Sequence, residues 1–199
     1  TYLQHLQNNR FSIFLACRQA GKSVVTAIYC LWKILFNIDK AGLILSKSAA
    51  AGVDLLGKIK DMFLNLPYYL KPGIYKWNQH EIAFDNNSNI GTEAFSPTAG
   101  LGKTINFLIL DEFAWCPPND VELFYNNIIP TVTTISDSNV CIMSTQNGFN
   151  LFYKLWKGAI EKKNIYAPFK VDWHQVPQFN TKTKQWDKRD EKWKQMMIG

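Results

Sequence analysis

Two clusters in this 199-residue chain carry residue types that could do chemistry on a phosphate. The first is Ala16-Cys17-Arg18-Gln19-Ala20-Gly21-Lys22-Ser23. Read as a tight turn into a helix, it aims backbone N–H groups and a helix N-terminus at an anion. Lys22 then supplies a cation and the Ser23 hydroxyl a ligand for Mg²⁺. Cys17, Arg18, Gln19, Ala20, Gly21, Lys22 and Ser23 are therefore the expected nucleotide-binding set. The first glycine of the usual spacing is Ala16 here, so the weight falls on context: an apolar strand over Phe11–Leu15 and an apolar helix over Val24–Phe36. The second cluster is Asp111-Glu112, where the apolar run from Phe107 ends in two carboxylates. A parallel strand that delivers Asp111 to the Mg²⁺ shell, with Glu112 polarising the attacking water, would complete a hydrolytic site. A bare Gly-Lys-Ser is common in loops, and Asp111-Glu112 alone reads equally well as a strand end or a helix cap. Together, in this order, they make nucleotide hydrolysis the leading expectation.

A third cluster, Ser144-Thr145-Gln146-Asn147-Gly148, follows the apolar run Val140–Met143. Alone it is an Asn-Gly turn. At the end of a third strand, its hydroxyls could sense a γ-phosphate and pass that state on. The elements that must position these clusters alternate along the chain. Ala41–Ser46 reads as a buried strand. Ala49–Leu66 reads as a helix with Val53, Leu56, Ile59, Lys60 and Phe63 on one face. Glu81–Phe84 and Asn89–Phe95 read as a β-hairpin, Ser96–Lys103 as a polar loop, and Val121–Ile129 as a short helix. Val140–Ser144 and Phe149–Ile160 give a last strand and helix. The pattern predicts an α/β fold: a P-loop NTPase with a mostly parallel central sheet flanked by helices, plus a β-hairpin insertion near residues 75–95. Lys22, Asp111 and Thr145 should meet beyond the carboxyl ends of the strands.

Composition sets bounds. A hydrophobic content of 47% excludes a disordered chain, and 22 Lys+Arg against 16 Asp+Glu give a net charge of +6 that suits a polyanionic partner. No run reaches membrane-spanning length and no signal peptide is visible, which predicts a cytosolic protein. The start at Thr1 reads as that of a piece excised from a longer protein. Residues 1–172 are expected to form one P-loop ATPase domain, and 173–199 a small subdomain or linker. Cys17, Cys30, Cys116 and Cys141 lack any paired spacing. Three are expected in the core, while Cys17, beside a positive helix end, is expected to have a lowered pKa and to block activity when alkylated. Trp32 is expected in the core. Trp77, Trp156, Trp173, Trp186 and Trp193 are expected to pack rather than stack on bases. His5, His80 and His174 are assigned no chemistry. The Lys-rich stretch from Lys182 to Lys194 is expected to be a solvated helix face.

The motifs resemble one family. Cys17 to Ser23, Leu66-Pro-Tyr-Tyr-Leu-Lys-Pro-Gly-Ile74, Leu110-Asp-Glu-Phe-Ala-Trp115 and, most distinctively, Ser144-Thr-Gln-Asn-Gly-Phe-Asn-Leu-Phe-Tyr153 look like the ATPase domain of the large terminase subunit of tailed bacteriophages, T-even type. The resemblance implies that Lys22 and Ser23 bind the phosphates and Mg²⁺, that Asp111 supports the metal, and that Glu112 activates water. Ser144 and Thr145 would form a coupling motif. It also implies ATP as fuel, double-stranded DNA as substrate, and the portal protein and small terminase subunit as partners. The subunits would act as a homo-oligomer on the portal, at the portal vertex of the procapsid in the host cytoplasm, while the isolated piece could be a monomer.

Three departures accompany it. The family's adenine-contacting glutamine would precede Thr1, and Gln4 and Gln7 do not align with it. An arginine that many terminases carry ten residues before the metal Asp is Leu101 here, with Lys103 nearby. The nuclease domain that normally follows is absent, so this piece should not cut DNA. With only Arg10, Arg18 and Arg189 present, Arg18 is expected to act in cis on the transition state, with Lys103 in trans as the alternative. A helicase of related architecture and a nucleotide-dependent assembly module are the rival readings.

Overall fold

The structure is a computed structural model that describes residues 1–180 and 183–198. Six segments become parallel strands; four of them (11–16, 41–46, 107–111 and 139–144) are buried at every residue or all but the first, and such strands need no alternation of polar and apolar residues. The six are β1 (Phe11–Ala16), β2 (Ala41–Ser46), β5 (Asn89–Ala94), β6 (Phe107–Asp111), β7 (Asn139–Ser144) and β8 (Ala167–Val171). Two further strands, β3 (Ile74–Asn78) and β4 (Glu81–Phe84), extend the sheet antiparallel. The order is β3-β4-β5-β2-β6-β7-β1-β8. Register places Ser46 beside Asp111, and Asp111 beside Met143, so the strand ends converge.

Alternate residues of each strand feed opposite cores. Phe14, Ile44, Phe107, Ile109 and Met143 pack under α1 (Tyr2–Asn8), α2 (Lys22–Leu35) and α3 (Ala49–Leu64). Ile13, Leu43, Leu108, Leu110 and Ile142 pack against α4 (Pro118–Thr133) and α5 (Leu151–Ile160). α3 lies so close to β5 that a Cβ on Gly52 would sit 2.0 Å from Thr92 Oγ1. Its buried face is Gly52, Leu55, Leu56, Ile59 and Phe63, which corrects the expectation that Val53 and Lys60 share it.

Other differences have local causes. α2 begins at Lys22, not Val24, because Lys22 and Ser23 form its first turn. α4 runs through Pro130 to Thr133, since buried Ile128, Ile129 and Val132 hold it on the sheet despite the missing N–H. The expected hairpin is present as β4–β5, but β5 also pairs parallel with β2, so it belongs to the main sheet. β8 was not anticipated; it tolerates Pro168 because it pairs only with β1, at the sheet edge. Beyond it lie a separate antiparallel pair, β9 (Pro177–Asn180) with β10 (Gln185–Lys188), and α6 (Glu191–Ile198). The expected solvated helix face from Lys182 to Lys194 is thus strand over 185–188 and helix only from Glu191, with Arg189 buried; Lys182 lies outside the described residues. Trp32 is 37% exposed at the rim of α2 and Trp186 is 69% exposed, so neither is a core residue. Trp77 packs on Phe63, and Trp173 stacks on Trp193. No helix among the described residues is long and apolar enough to cross a membrane.

Candidate active site

The turn between β1 and α2 is set by two left-handed residues, Gln19 (φ 58°) and Gly21 (φ 74°). Space beside Gly21 is open, so its backbone angle, not packing, asks for glycine. Cys17 N–H donates to the Val171 carbonyl at 3.1 Å, fastening the turn to β8. The N–H groups of Gln19, Ala20 and Gly21 have no partner among the described residues. They border a cavity of about 540 Å³ lined by residues 17–24 together with Lys47, Glu112, Trp115 and Thr145.

Lys22 is buried, and its Nζ lies 2.6 Å from Glu112 Oε1 and 3.2 Å from Asp111 Oδ1. Burial pushes the Asp111 carboxyl above the usual carboxylate range, with Lys22 pulling the other way. Asp111 Oδ1 is near the ammonium but is not aligned for a hydrogen bond. Glu112 sits at φ 52°, ψ 39°, the left-handed region, at a cost on the order of 1–3 kcal/mol for such a residue. That angle turns the chain out of β6 into a 3-10 turn over Phe113–Trp115.

The third motif clasps this turn. Ser144 Oγ accepts from Ala114 N–H at 3.1 Å and reaches Glu112 Oε2 at 3.5 Å. Thr145 Oγ1 donates to Glu112 Oε2 at 3.4 Å and accepts from the Trp115 indole at 2.9 Å. Asn147 and Asn150 both donate to the Ala114 carbonyl at 2.8 Å, and Asn150 also caps α5 through Tyr153 N–H. The acidic turn and the Ser-Thr strand end are therefore one hydrogen-bonded unit.

The chain matches the model of the family described as terminase large subunit, T4likevirus-type, N-terminal, over residues 13–197. It belongs to the T4-like large terminase family. Its fold is similar to the large terminase ATPase domain of Thermus phage P74-26, with TM-score 0.67 and 16% identity over 87% of this chain and 80% of that one. It is also similar to the large terminase of a thermophilic bacteriophage solved in complex with ATP-gamma-S, with TM-score 0.65 and 14% identity. That match covers 89% of this chain and 43% of the other. The large terminase of bacteriophage HK97 gives TM-score 0.64 and 16% identity over 91% of this chain and 40% of that one. The chain thus spans less than half the length of these longer terminases.

Within this terminase domain the expected site residues come together. Lys22, Glu112 and Thr145 line one cavity with residues 17–21 and Ser23, and Asp111 joins them through Lys22. Arg18 lines it as well, is exposed, and has no carboxylate partner among the described residues. Lys103 does not line the cavity; it pairs with Glu93. Cys17 corrects an expectation: burial raises its thiol pKa, outweighing the lowering influence of Arg189. The sequence reading missed Lys47, Trp115, Asn147, Asn150 and Arg189. The stretch 144–153 already stood out as more than a generic strand end, a signal that pointed to the two asparagines. The donors suit Mg²⁺: a Ser23 hydroxyl and an Asp111 oxygen that is buried without a hydrogen bond are hard oxygens. No group of three or more His, Cys, Asp or Glu able to hold an ion stands among the described residues. A metal shared with substrate phosphates fits such a sparse set.

Proposed function

We propose that this terminase domain hydrolyses ATP with Mg²⁺ and that hydrolysis drives double-stranded DNA into a procapsid. The observation that carries the reading is the single unit joining Lys22, Glu112 and Thr145 at the mouth of the phosphate loop. The N–H groups of residues 19–21 and Lys22 hold the phosphates, Ser23 and Asp111 hold Mg²⁺, and Mg²⁺ when bound neutralises charge on the phosphate oxygens. Glu112 takes the proton of the attacking water, and Arg18 reaches the transferring phosphoryl group from its own loop. Ser144 and Thr145 grip Glu112 and the turn behind it, so a change at the phosphate moves the 113–115 turn and α5. ATP-gamma-S bound to a structural relative supports the choice of nucleotide.

The wider assignments are part of the same proposal. Residues 1–172 form the ATPase domain and 173–199 begin a small subdomain or linker. The partners are DNA, the portal protein and the small terminase subunit, with copies of the chain assembled at the portal vertex in the host cytoplasm. Phosphate release with Mg²⁺ and with excess EDTA tests the core of this. Hydrolysis should need the metal; equal rates under both conditions would refute the assignment of Ser23 and Asp111.

A further inference from the structure

Arg189 lies between β10 and α6, far along the chain from the phosphate loop, yet only 6% of it is exposed. Its Nη2 donates to the Gln19 carbonyl at 3.2 Å, and its Nη1 donates to the Arg18 carbonyl at 3.4 Å and reaches Cys17 Sγ at 3.8 Å. The guanidinium lies 4.2 Å from the centre of the Trp193 ring, and Trp193 stacks on Trp173 at 6.1 Å. Lys194 Nζ completes the layer 5.6 Å from the Trp173 ring. Trp173 follows β8, the strand whose Val171 carbonyl receives Cys17 N–H. Two routes from the C-terminal elements therefore end on the same loop.

We propose that Arg189 is a positioning residue that holds the phosphate loop in its binding shape from the side opposite the cavity. A trans peptide points its carbonyl and its N–H in opposite directions. The carbonyls of Arg18 and Gln19 face Arg189, so the N–H groups of Gln19 and Ala20 point away from it, where a phosphate is received. The planar fork of arginine can bond two successive carbonyls at once, which a lysine head cannot. It also polarises both peptides, which strengthens their N–H donors.

Stability alone does not explain this residue. Arg189 has no carboxylate partner among the described residues, and its Nε is buried without a hydrogen bond. A buried cation compensated only by carbonyls, a thiol and an indole face is a poor stabiliser compared with an apolar side chain of similar size. The guanidinium is held where its hydrogen bonds all go to the phosphate loop.

The inference rests on reading this loop as a nucleotide site, so the experiment has two readouts. Mg²⁺–ADP binding by isothermal titration and the pH profile of Cys17 alkylation would be compared in the wild type, Arg189→Met and Arg189→Lys. Arg189→Met should weaken ADP by roughly tenfold or more, the weight of one charge-assisted hydrogen bond, without lowering the melting temperature. Arg189→Lys should fall between. The charged groups acting on the Cys17 thiol are Arg189, which lowers its pKa, and Asp172, which raises it. Loss of the guanidinium should therefore move the alkylation midpoint to higher pH. ADP affinity unchanged in folded Arg189→Met, or in Arg189→Lys if the methionine variant does not fold, would overturn the proposal. So would an unmoved Cys17 midpoint. Failure of the wild type to bind ADP would instead refute the nucleotide site itself, while the Cys17 profile still decides whether Arg189 grips the loop.

Discussion

Replacing Thr145 by valine keeps the shape of the side chain and deletes one hydroxyl, which makes two contacts of different kinds. It accepts from the Trp115 indole at 2.9 Å, and it donates to Glu112 Oε2 at 3.4 Å. Trp115 is 40% exposed, so its N–H can turn to water, and the lost bond should cost about 0.5–1 kcal/mol, the low end for a neutral hydrogen bond. For a domain of this size that lowers the melting temperature by roughly 1–4 °C. The chemical effect should be larger. Glu112 keeps Lys22 at 2.6 Å and the long Ser144 contact but loses a tether on its other oxygen. A misplacement approaching 1 Å at a reacting group costs on the order of 10²-fold. We therefore expect kcat to fall by about 10- to 100-fold, or about 1.4–2.7 kcal/mol of transition-state stabilisation. KM for ATP should stay within about twofold, since the phosphate loop is untouched and only transition-state binding is lost. Steady-state phosphate release over a range of ATP concentrations reads both constants, and Thr145→Ser should restore most of kcat. A valine variant with wild-type kcat and the expected loss of melting temperature would show that the hydroxyl serves Trp115 alone, and the coupling argument would fall.

Other outcomes follow from the same geometry. Arg18→Ala should leave the melting temperature unchanged, because Arg18 is exposed and unpaired with any carboxylate among the described residues, yet lower kcat on the order of 10³-fold. Wild-type specific activity should not depend on protein concentration; activity that rises with concentration and tolerates the substitution would place the finishing cation on a neighbouring subunit. Asp111 has a raised pKa in the fold, so the native state holds its proton more tightly than the unfolded chain, and ionisation costs stability at neutral pH. Asp111→Asn should therefore melt higher than the wild type at pH 7, with the difference shrinking as pH falls through the raised pKa to the ordinary carboxylate value. A gap that widens on acidification would reverse the sign. Burial pushes the Cys116 and Cys141 thiols up to about 12 and Cys30 up as well, so native protein at pH 8 should be alkylated first at Cys17. That reaction should be slower than with a free thiol and should be blocked by ATP; modification unaffected by ATP would place Cys17 away from the nucleotide.

Much of the framework was legible because it rests on local patterns. Phe11–Leu15, Ala41–Ser46 and Phe107–Leu110 are apolar apart from the small residues Ser12 and Ser46, as strands buried on both faces can be. Lys22 and Asp111-Glu112 stand where such strands end. What escaped notice depends on contacts distant in sequence. Arg189 lies among lysines and acidic residues and reads as a solvated charge; in the fold it packs on Trp193 and donates to the phosphate loop. Trp115 stands in the Leu110–Trp115 motif, but its role depends on β7 bringing Thr145 beside it. β8 was masked by Pro168, which is acceptable only because the strand is at the edge. The Cys17 thiol shows two effects in competition: burial raises its pKa and decides the direction, while Arg189 favours the thiolate.

The claim that Glu112 is the general base of an ATP-hydrolysing site is tested most directly by Glu112→Gln. Single-turnover cleavage of ATP and equilibrium binding of ATP with Mg²⁺ would be measured side by side with the wild type. The substitution keeps the size of the side chain and its place beside Lys22, but removes its ability to take a proton. Binding should stay within about threefold while cleavage falls by roughly 10²- to 10⁴-fold. Cleavage at the wild-type rate with binding intact would contradict the account.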